Sequence, residues 1–513
     1  QLLYFAIYTC LTVILCVFPM PSISHQKVFR PLTKELARRG HEVVVITPDP
    51  GFPKGKTPAN LTEIDIHDIS YKEWQKMFES HTGDKNDMHH IMELLFQRIT
   101  ETFEKQIQTP DVQRLIKEEN NKFDLLILEA CIRPSLGLAH VFKVPVIHFS
   151  SFGAVSAQYN LFGAPMHPIL YPSAPRLRIY DLTLWEKAKE YYNYFYMDWL
   201  IKKTADYDYE MVKRNFGNDA PSFDELYNRI ELLFLNEHHI WADNHPVPPN
   251  IVFIGGIEET QKNNLSRLQH YLDSSRYGVI YVSFGTNIMP SLLPRDKINV
   301  MAKVLSEIPY DILWKWDSGT VPSNSSNIKF SKWVPQADLL RHSKVKLFIT
   351  QGGLHSTQEA ISAGVPMIGM PMLGDQWYNV EKYLNHKFGL QLDIMTITEE
   401  TLSQSLDKIL YDPSYKQNIV RMGNIMKQHP VKPLNLAVWW VEHILRHGGK
   451  HLRAPTHGSL TILQYYEIPI ILFVVLTTIL ILTVITTCMY FSLSCFIRSI
   501  KNNLIIKFKF KKS

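Results

Sequence analysis

Short apolar runs alternate with amphipathic stretches along the first half of the chain. Residues 13–18, 42–47, 125–128 and 146–149 are aliphatic or β-branched, a pattern that predicts short buried strands. Between them, 26–39 and 113–117 carry apolar positions at helical spacing. Arg39-Gly40-His41 ahead of Glu42-Val43-Val44-Val45 stops a helix and opens a strand. Residues 236–250, with Pro246, Pro248 and Pro249, read as a linker. The alternation then resumes, with strands expected at 251–254, 279–282, 311–314, 346–349 and 366–370 and a helix at 353–363 closed by Gly364. The pattern predicts an α/β protein of two Rossmann-like, doubly wound domains, 13–235 and 251–450. Ligands would then bind in the crevice that both domains present at the carboxyl ends of their strands.

Three stretches depart from this alternation. Residues 182–208 hold Tyr191, Tyr192, Tyr194, Phe195, Tyr196 and Trp199. They suit a membrane interface, the wall of an apolar site or a packed core helix, and the pattern leaves these open. Residues 468–497 contain no charged side chain and predict a membrane-spanning helix. The third, 1–12, reads as the remnant of a signal peptide.

The net charge of +5 is a property of the tail. Residues 498–513 hold six basic and no acidic side chains, so the remainder is close to neutral and nucleic-acid binding is not indicated. Basic residues beyond a span mark the cytosolic side and place residues before Glu467 in the lumen, as a single-pass type I protein. Lys509 and Lys511 resemble a dilysine signal for retrieval to the endoplasmic reticulum, with a plain stop-transfer cluster as the alternative. Sequons at Asn60, Asn264 and Asn324 are compatible with a lumenal glycoprotein. Of the five cysteines, only Cys16 and Cys131 lie outside the two terminal apolar segments, so neither a disulfide framework nor a zinc pattern is present.

The candidate chemistry is concentrated between residues 333 and 379. Gln351-Gly352-Gly353 follows a predicted strand and opens a helix, where backbone N–H groups can hold phosphate. Glu359 lies further along that helix and suits ribose hydroxyls, while Trp333 offers a face for a planar base. Asp375-Gln376 follows another strand and suits sugar hydroxyls. A glycine pair before a helix is weak by itself, but the order of all four points to a nucleotide diphosphate carrying a sugar.

Residues 333–379 resemble the donor-site signature of the UDP-glycosyltransferase family, and the similarity runs from Phe18-Pro19-Met20-Pro21-Ser22 to the basic tail. The resemblance implies a GT-B fold and transfer of a hexose from a UDP-sugar co-substrate to a hydroxyl of a small lipophilic acceptor, with inversion, as in detoxification. It places Trp333 on uracil, Gln336 at the nucleoside, and His355 and Ser356 at the diphosphate. Gln351 and Gly353 lie at the same phosphates, Glu359 at the ribose, and Asp375 and Gln376 at the sugar. Ser283, Gly285 and Thr286 resemble a second phosphate-side loop. His25 matches the family's catalytic base, and Glu129 stands nearest the aspartate that usually orients it, with Asp124 a poorer candidate. No metal or cofactor is implied, and homo- or hetero-oligomers stay open.

Two residues depart from the family. Glutamate replaces the usual aspartate at 129, and Gln351 stands where many members have histidine. Gln351 resembles invertebrate members that use UDP-glucose, and the sequence offers no dedicated cation for a sugar carboxylate. A catalytically weak protein that binds UDP or lipophiles is the alternative of a different class. Asp206-Tyr207-Asp208 matches a metal motif of another glycosyltransferase fold, and His89-His90 with Glu93 has ligand-like spacing. Both are expected to be structural.

Overall fold

The computed structural model describes residues 12–78, 88–118, 122–172, 176–257, 265–286, 288–456 and 462–510. The signal-peptide remnant, apart from residue 12, lies outside the described residues, as do the Asn264 side of its sequon and residues 511–513 of the tail.

The first sheet has seven strands: β1 Val13–Val17, β2 Glu42–Thr47, β3 Leu61–Asp65, β4 Leu125–Glu129, β5 Val146–Ser150, β6 Ile230–Leu235 and β7 Ile251–Phe253. They run parallel in the order β3-β2-β1-β4-β5-β6-β7. The second has six: β8 Val279–Ser283, β9 Asp311–Lys315, β10 Ile328–Ser331, β11 Val345–Thr350, β12 Met367–Gly369 and β13 Gly389–Gln391. These are also parallel, in the order β10-β9-β8-β11-β12-β13. In each sheet the order reverses beside the first strand, between β1 and β4 and between β8 and β11. Helices leave opposite faces at such a point, which opens a crevice above the carboxyl ends.

Alternate residues of β1 explain why it is apolar throughout. Leu15 and Val17 join one core with Leu126 and Leu128, while Ile14, Cys16 and Phe18 join another with Val28, Phe29 and Leu32. A parallel strand covered on both faces keeps no polar side, and each such side chain contributes about 1.5–3 kcal/mol on burial. β8 does the same in the second sheet, with Ile280 and Val282 on one face and Val279 and Tyr281 on the other.

The domain boundary expected at 251 needs correction. β7 pairs with β6, so 251–253 closes the first sheet and does not open the second domain. The second domain's end also returns to the first. Helix Pro433–His447 buries Ala437, Val438, Val441 and Ile444 in the core that contains Phe18 and Phe29. Its apolar stripe finds cover there, and Arg39 bonds Glu442 at 3.1 Å across the contact.

Residues from Ser459 form a separate unit. Its helix Ile468–Phe510 runs past the expected end at 497 into the basic tail, and its 35-residue segment Ile468–Asn502 is long and apolar enough to cross a membrane.

Candidate active site

The turn Pro19-Met20-Pro21 carries the chain from β1 into α1, Ile23–Arg38. Gln26 locks that entry: its Nε2 donates to Phe18 O at 2.8 Å, and its Oε1 accepts from Thr47 Oγ1 at 2.9 Å. His25, one residue earlier, is thereby held over the carboxyl end of the sheet. Glu129 ends β4, the strand beside β1. Its Oε1 lies 2.7 Å from His25 Nδ1, and its Oε2 accepts the Met20 N–H at 3.0 Å. The Glu129 side chain is fully buried and His25 is 19% exposed. Glutamate thus closes this contact despite its additional methylene. Asp124, at the other end of the strand, instead accepts the Val13 N–H at 2.8 Å.

Ser151, just beyond β5, brings its Oγ to 2.9 Å from the same Nδ1. With Nδ1 protonated toward the carboxylate, Nε2 keeps its lone pair. His25, Glu129 and Cys131 lie close enough to form a metal-ligand set. However, burial and the neighbouring Glu129 raise the Cys131 thiol well above its ordinary range, and both Glu129 oxygens already have partners. A hydrogen-bonded acid–imidazole pair fits this group better than a cation site.

Two cavities meet at His25. The first, with about 910 Å³ of open space, lies between the lobes. Ten of the residues expected at a donor site line it: Gly285, Thr286, Trp333, Gln336, Gln351, Gly353, His355, Ser356, Asp375 and Gln376. Ser283 and Glu359 stand behind this wall. Ser283 is buried, and its Oγ accepts the Gly285 N–H at 3.3 Å, which shapes the turn. Glu359 Oε2 accepts from Gln336 Nε2 at 2.7 Å, and the same amide reaches Ser356 Oγ at 2.9 Å.

Two glycines at this wall are required by geometry. Gly352 has φ +89° and Gly285 has φ +77°, both left-handed. A Cβ on Gly285 would stand 2.3 Å from Gln351 Nε2. Gly353 caps helix Leu354–Ala363, whose C-terminus closes at Gly364 in the left-handed region.

Asp375 precedes helix Gln376–Asn385, and its Oδ2 accepts the Leu354 N–H at 3.3 Å and Asn379 Nδ2 at 2.8 Å. Burial raises its carboxyl above the usual range, against those hydrogen bonds and the charge of His25. Gln376 Oε1 accepts from Met372 N at 2.7 Å and Leu373 N at 2.8 Å, which leaves its amide NH₂ for other contacts.

The sequence pattern did not single out Asn379, Ser151, Lys27 or Lys315. Asn379 lies one helical turn after Asp375 and also binds Gly352 O at 2.9 Å, a spacing that could have marked it. Lys27 and Lys315 also line the donor-side cleft.

The second cavity has about 2120 Å³ of open space, part of it continuous with solvent. It shares His25, Phe152, Asp375 and Gln376 with the first. Its walls include Trp74, Leu95, Phe96 and Ile99 from one side and Tyr194, Met197 and Ile201 from helix Leu184–Phe216. The aromatic stretch 182–208 therefore belongs to a helix that lines this cavity. Its outward face leaves Trp185, Tyr192 and Trp199 exposed, so it is not a packed core helix. Asp208 is buried against Arg133 at 2.6 Å, and His89 stacks on Tyr196, so neither metal-like motif converges.

Two parallel doubly wound sheets with a cleft between them form a GT-B fold. Solved structures agree: the chain superposes on a UDP-glucose: anthocyanidin 3-O-glucosyltransferase in complex with UDP with a TM-score of 0.56 at 19% identity, over 84% of this chain and 98% of that one. Residues 13–503 match the family model "UDP-glucoronosyl and UDP-glucosyl transferase", and the chain belongs to that family of UDP-sugar-dependent transferases. It is 33% identical to an ecdysteroid UDP-glucosyltransferase of Lymantria dispar multicapsid nuclear polyhedrosis virus, covering 86% of this chain and 88% of the relative. It is 32% identical to UDP-glucuronosyltransferase 1A9 of Mus musculus, covering 94% and 92%.

Proposed function

We propose that the protein transfers glucose from UDP-glucose to a hydroxyl of a lipophilic acceptor, with inversion. The observation that carries this is the position of His25, at the junction of a polar cleft and an apolar cavity with Nδ1 tied to buried Glu129. The acceptor lies in the apolar cavity and presents its hydroxyl to His25 Nε2. The imidazole removes the proton as the oxygen forms its bond to the anomeric carbon. The bond to the UDP oxygen breaks on the opposite face, and UDP leaves with the electron pair. Glu129 holds the ring and offsets the imidazolium charge.

In this reading Trp333 stacks on uracil, and Gln336, oriented from behind by Glu359, holds the nucleoside. The helix-opening amides around Gln351–Ser356, with the 283–286 loop, stabilise the diphosphate. Asp375 and the free amide of Gln376 position the sugar. Support for glucose comes from Gln351 and from relatives named as glucosyltransferases. The C-terminal helix supports a single-pass anchor, and the tail's charge supports a lumenal body at the endoplasmic reticulum.

UDP release tests this in membranes that carry the full chain, with EDTA present. UDP-glucose and UDP-glucuronic acid are each supplied with simple phenols and, given the viral relatives' name, an ecdysteroid. Acceptor-dependent release from UDP-glucose is expected. Preference for UDP-glucuronic acid would overturn the sugar, and UDP binding without release would favour a binding protein.

A further inference from the structure

Lys27 leaves the first lobe two residues after His25, and Lys315 ends β9 in the second lobe. Both ammonium groups lie over one ring: Lys27 Nζ is 5.6 Å and Lys315 Nζ 4.9 Å from the centroid of Trp333. Lys315 Nζ also donates to Gly285 O at 2.7 Å, in the loop after β8. Among the described residues neither ammonium has a carboxylate at ion-pair distance. Asp317, which acts on Lys315 from further away, is engaged by Ser291 through its N–H at 3.1 Å and its hydroxyl. Burial and the charge of Lys27 together push Lys315 down to about 8. Two cations are therefore held together in a cleft where one carbonyl and one aromatic face are their visible partners. A π-face compensates an ammonium only partly, whereas a phosphate oxygen accepts a charge-assisted hydrogen bond.

We propose that Lys27 and Lys315 form a two-lobed clamp for the diphosphate of a nucleoside diphosphate. Trp333 takes the base beside them. The inference rests on reading the inter-lobe cleft as the UDP-sugar site. It adds two binding residues and a means by which the donor ties the lobes together. The diphosphate is a better match than the sugar because Lys315 is bound to the 283–286 loop, while Asp375 and Gln376 occupy another part of the wall.

Uridine separates the clamp from the base platform, because it has the base and no phosphate. The full-length protein in detergent is titrated with UDP and with uridine, beside Lys27→Met, Lys315→Met and the two arginine variants. The clamp predicts that each methionine variant weakens UDP about tenfold, leaves uridine within about twofold, and is rescued by arginine. Unchanged UDP affinity in both methionine variants would overturn it. So would an equal loss for uridine, which would make the lysines supports for Trp333. UDP-glucuronic acid is titrated in parallel, and its loss with UDP unchanged would assign the pair to a sugar carboxylate and also overturn the clamp. If the unmodified protein bound neither UDP nor uridine, the reading of the cleft itself would fall.

Discussion

The two cavities that meet at His25 are built in different ways. The donor-side wall depends on turns at strand ends, two of which Gly285 and Gly352 hold in left-handed backbone, with Trp333, Gln336 and Asp375 completing the lining. The apolar cavity is made of side chains: Phe96 and Ile99 from one helix, Tyr194 and Met197 from another, and Phe152 from a loop. Main-chain walls demand particular residues at particular places. Side-chain walls ask only for bulk and hydrophobicity. One side of such an enzyme can therefore stay constant while the other changes its acceptor.

His25 belongs to both cavities, and its variants should give the largest effect. His25→Ala is expected to lower kcat by about 10³-fold while UDP affinity stays within about twofold, read by UDP release and by calorimetry. Near-normal turnover would remove the base. Glu129→Gln comes next, at about 10²-fold in kcat, because the carboxamide cannot offset the imidazolium charge. Equal loss of UDP affinity in that variant would mean that Glu129 supports the fold and not the imidazole.

The donor wall should be intolerant of small changes. Gly285→Ala places a Cβ against Gln351 at a left-handed position, and about tenfold weaker UDP binding is expected, with a stability cost of about 1–2 kcal/mol in thermal melts. The apolar cavity should respond more gently. Ile99→Phe is expected to raise KM for a bulky acceptor about fivefold and to leave UDP affinity unchanged. If Ile99→Phe weakened UDP as much as Gly285→Ala does, the separation of the two cavities would fail.

The same contrast decides what could be read from the sequence. Strands β1, β2, β4, β5 and β8 were legible because parallel strands covered on both faces carry apolar runs on adjacent positions. β3 was not: Leu61–Asp65 lies at the sheet edge, and of its mixed residues two are exposed and two only partly buried. β7 was legible as a strand but not as part of the first sheet, since its neighbour is set by tertiary pairing with β6. At the site, the glycine turn, Trp333 and Asp375-Gln376 lie close together in sequence and could be recognised. The contact between His25 and Glu129 spans 104 residues, and only a resemblance could bring those two together before the fold did. Lys27 and Lys315 gave no signal, because a lysine in a helix or at a strand end is ordinary until the lobes face each other. Gln376 and Glu359 carried a readable signal, but which of their atoms remain available depends on contacts with Met372, Leu373 and Gln336.

The configuration of the product tests the role of His25 without a variant. A single base at the junction, with UDP leaving on the far side, allows one displacement. Proton NMR of the glucoside formed from α-linked UDP-glucose should show a β-anomer. An α-glucoside would require retention and would contradict the role given to His25.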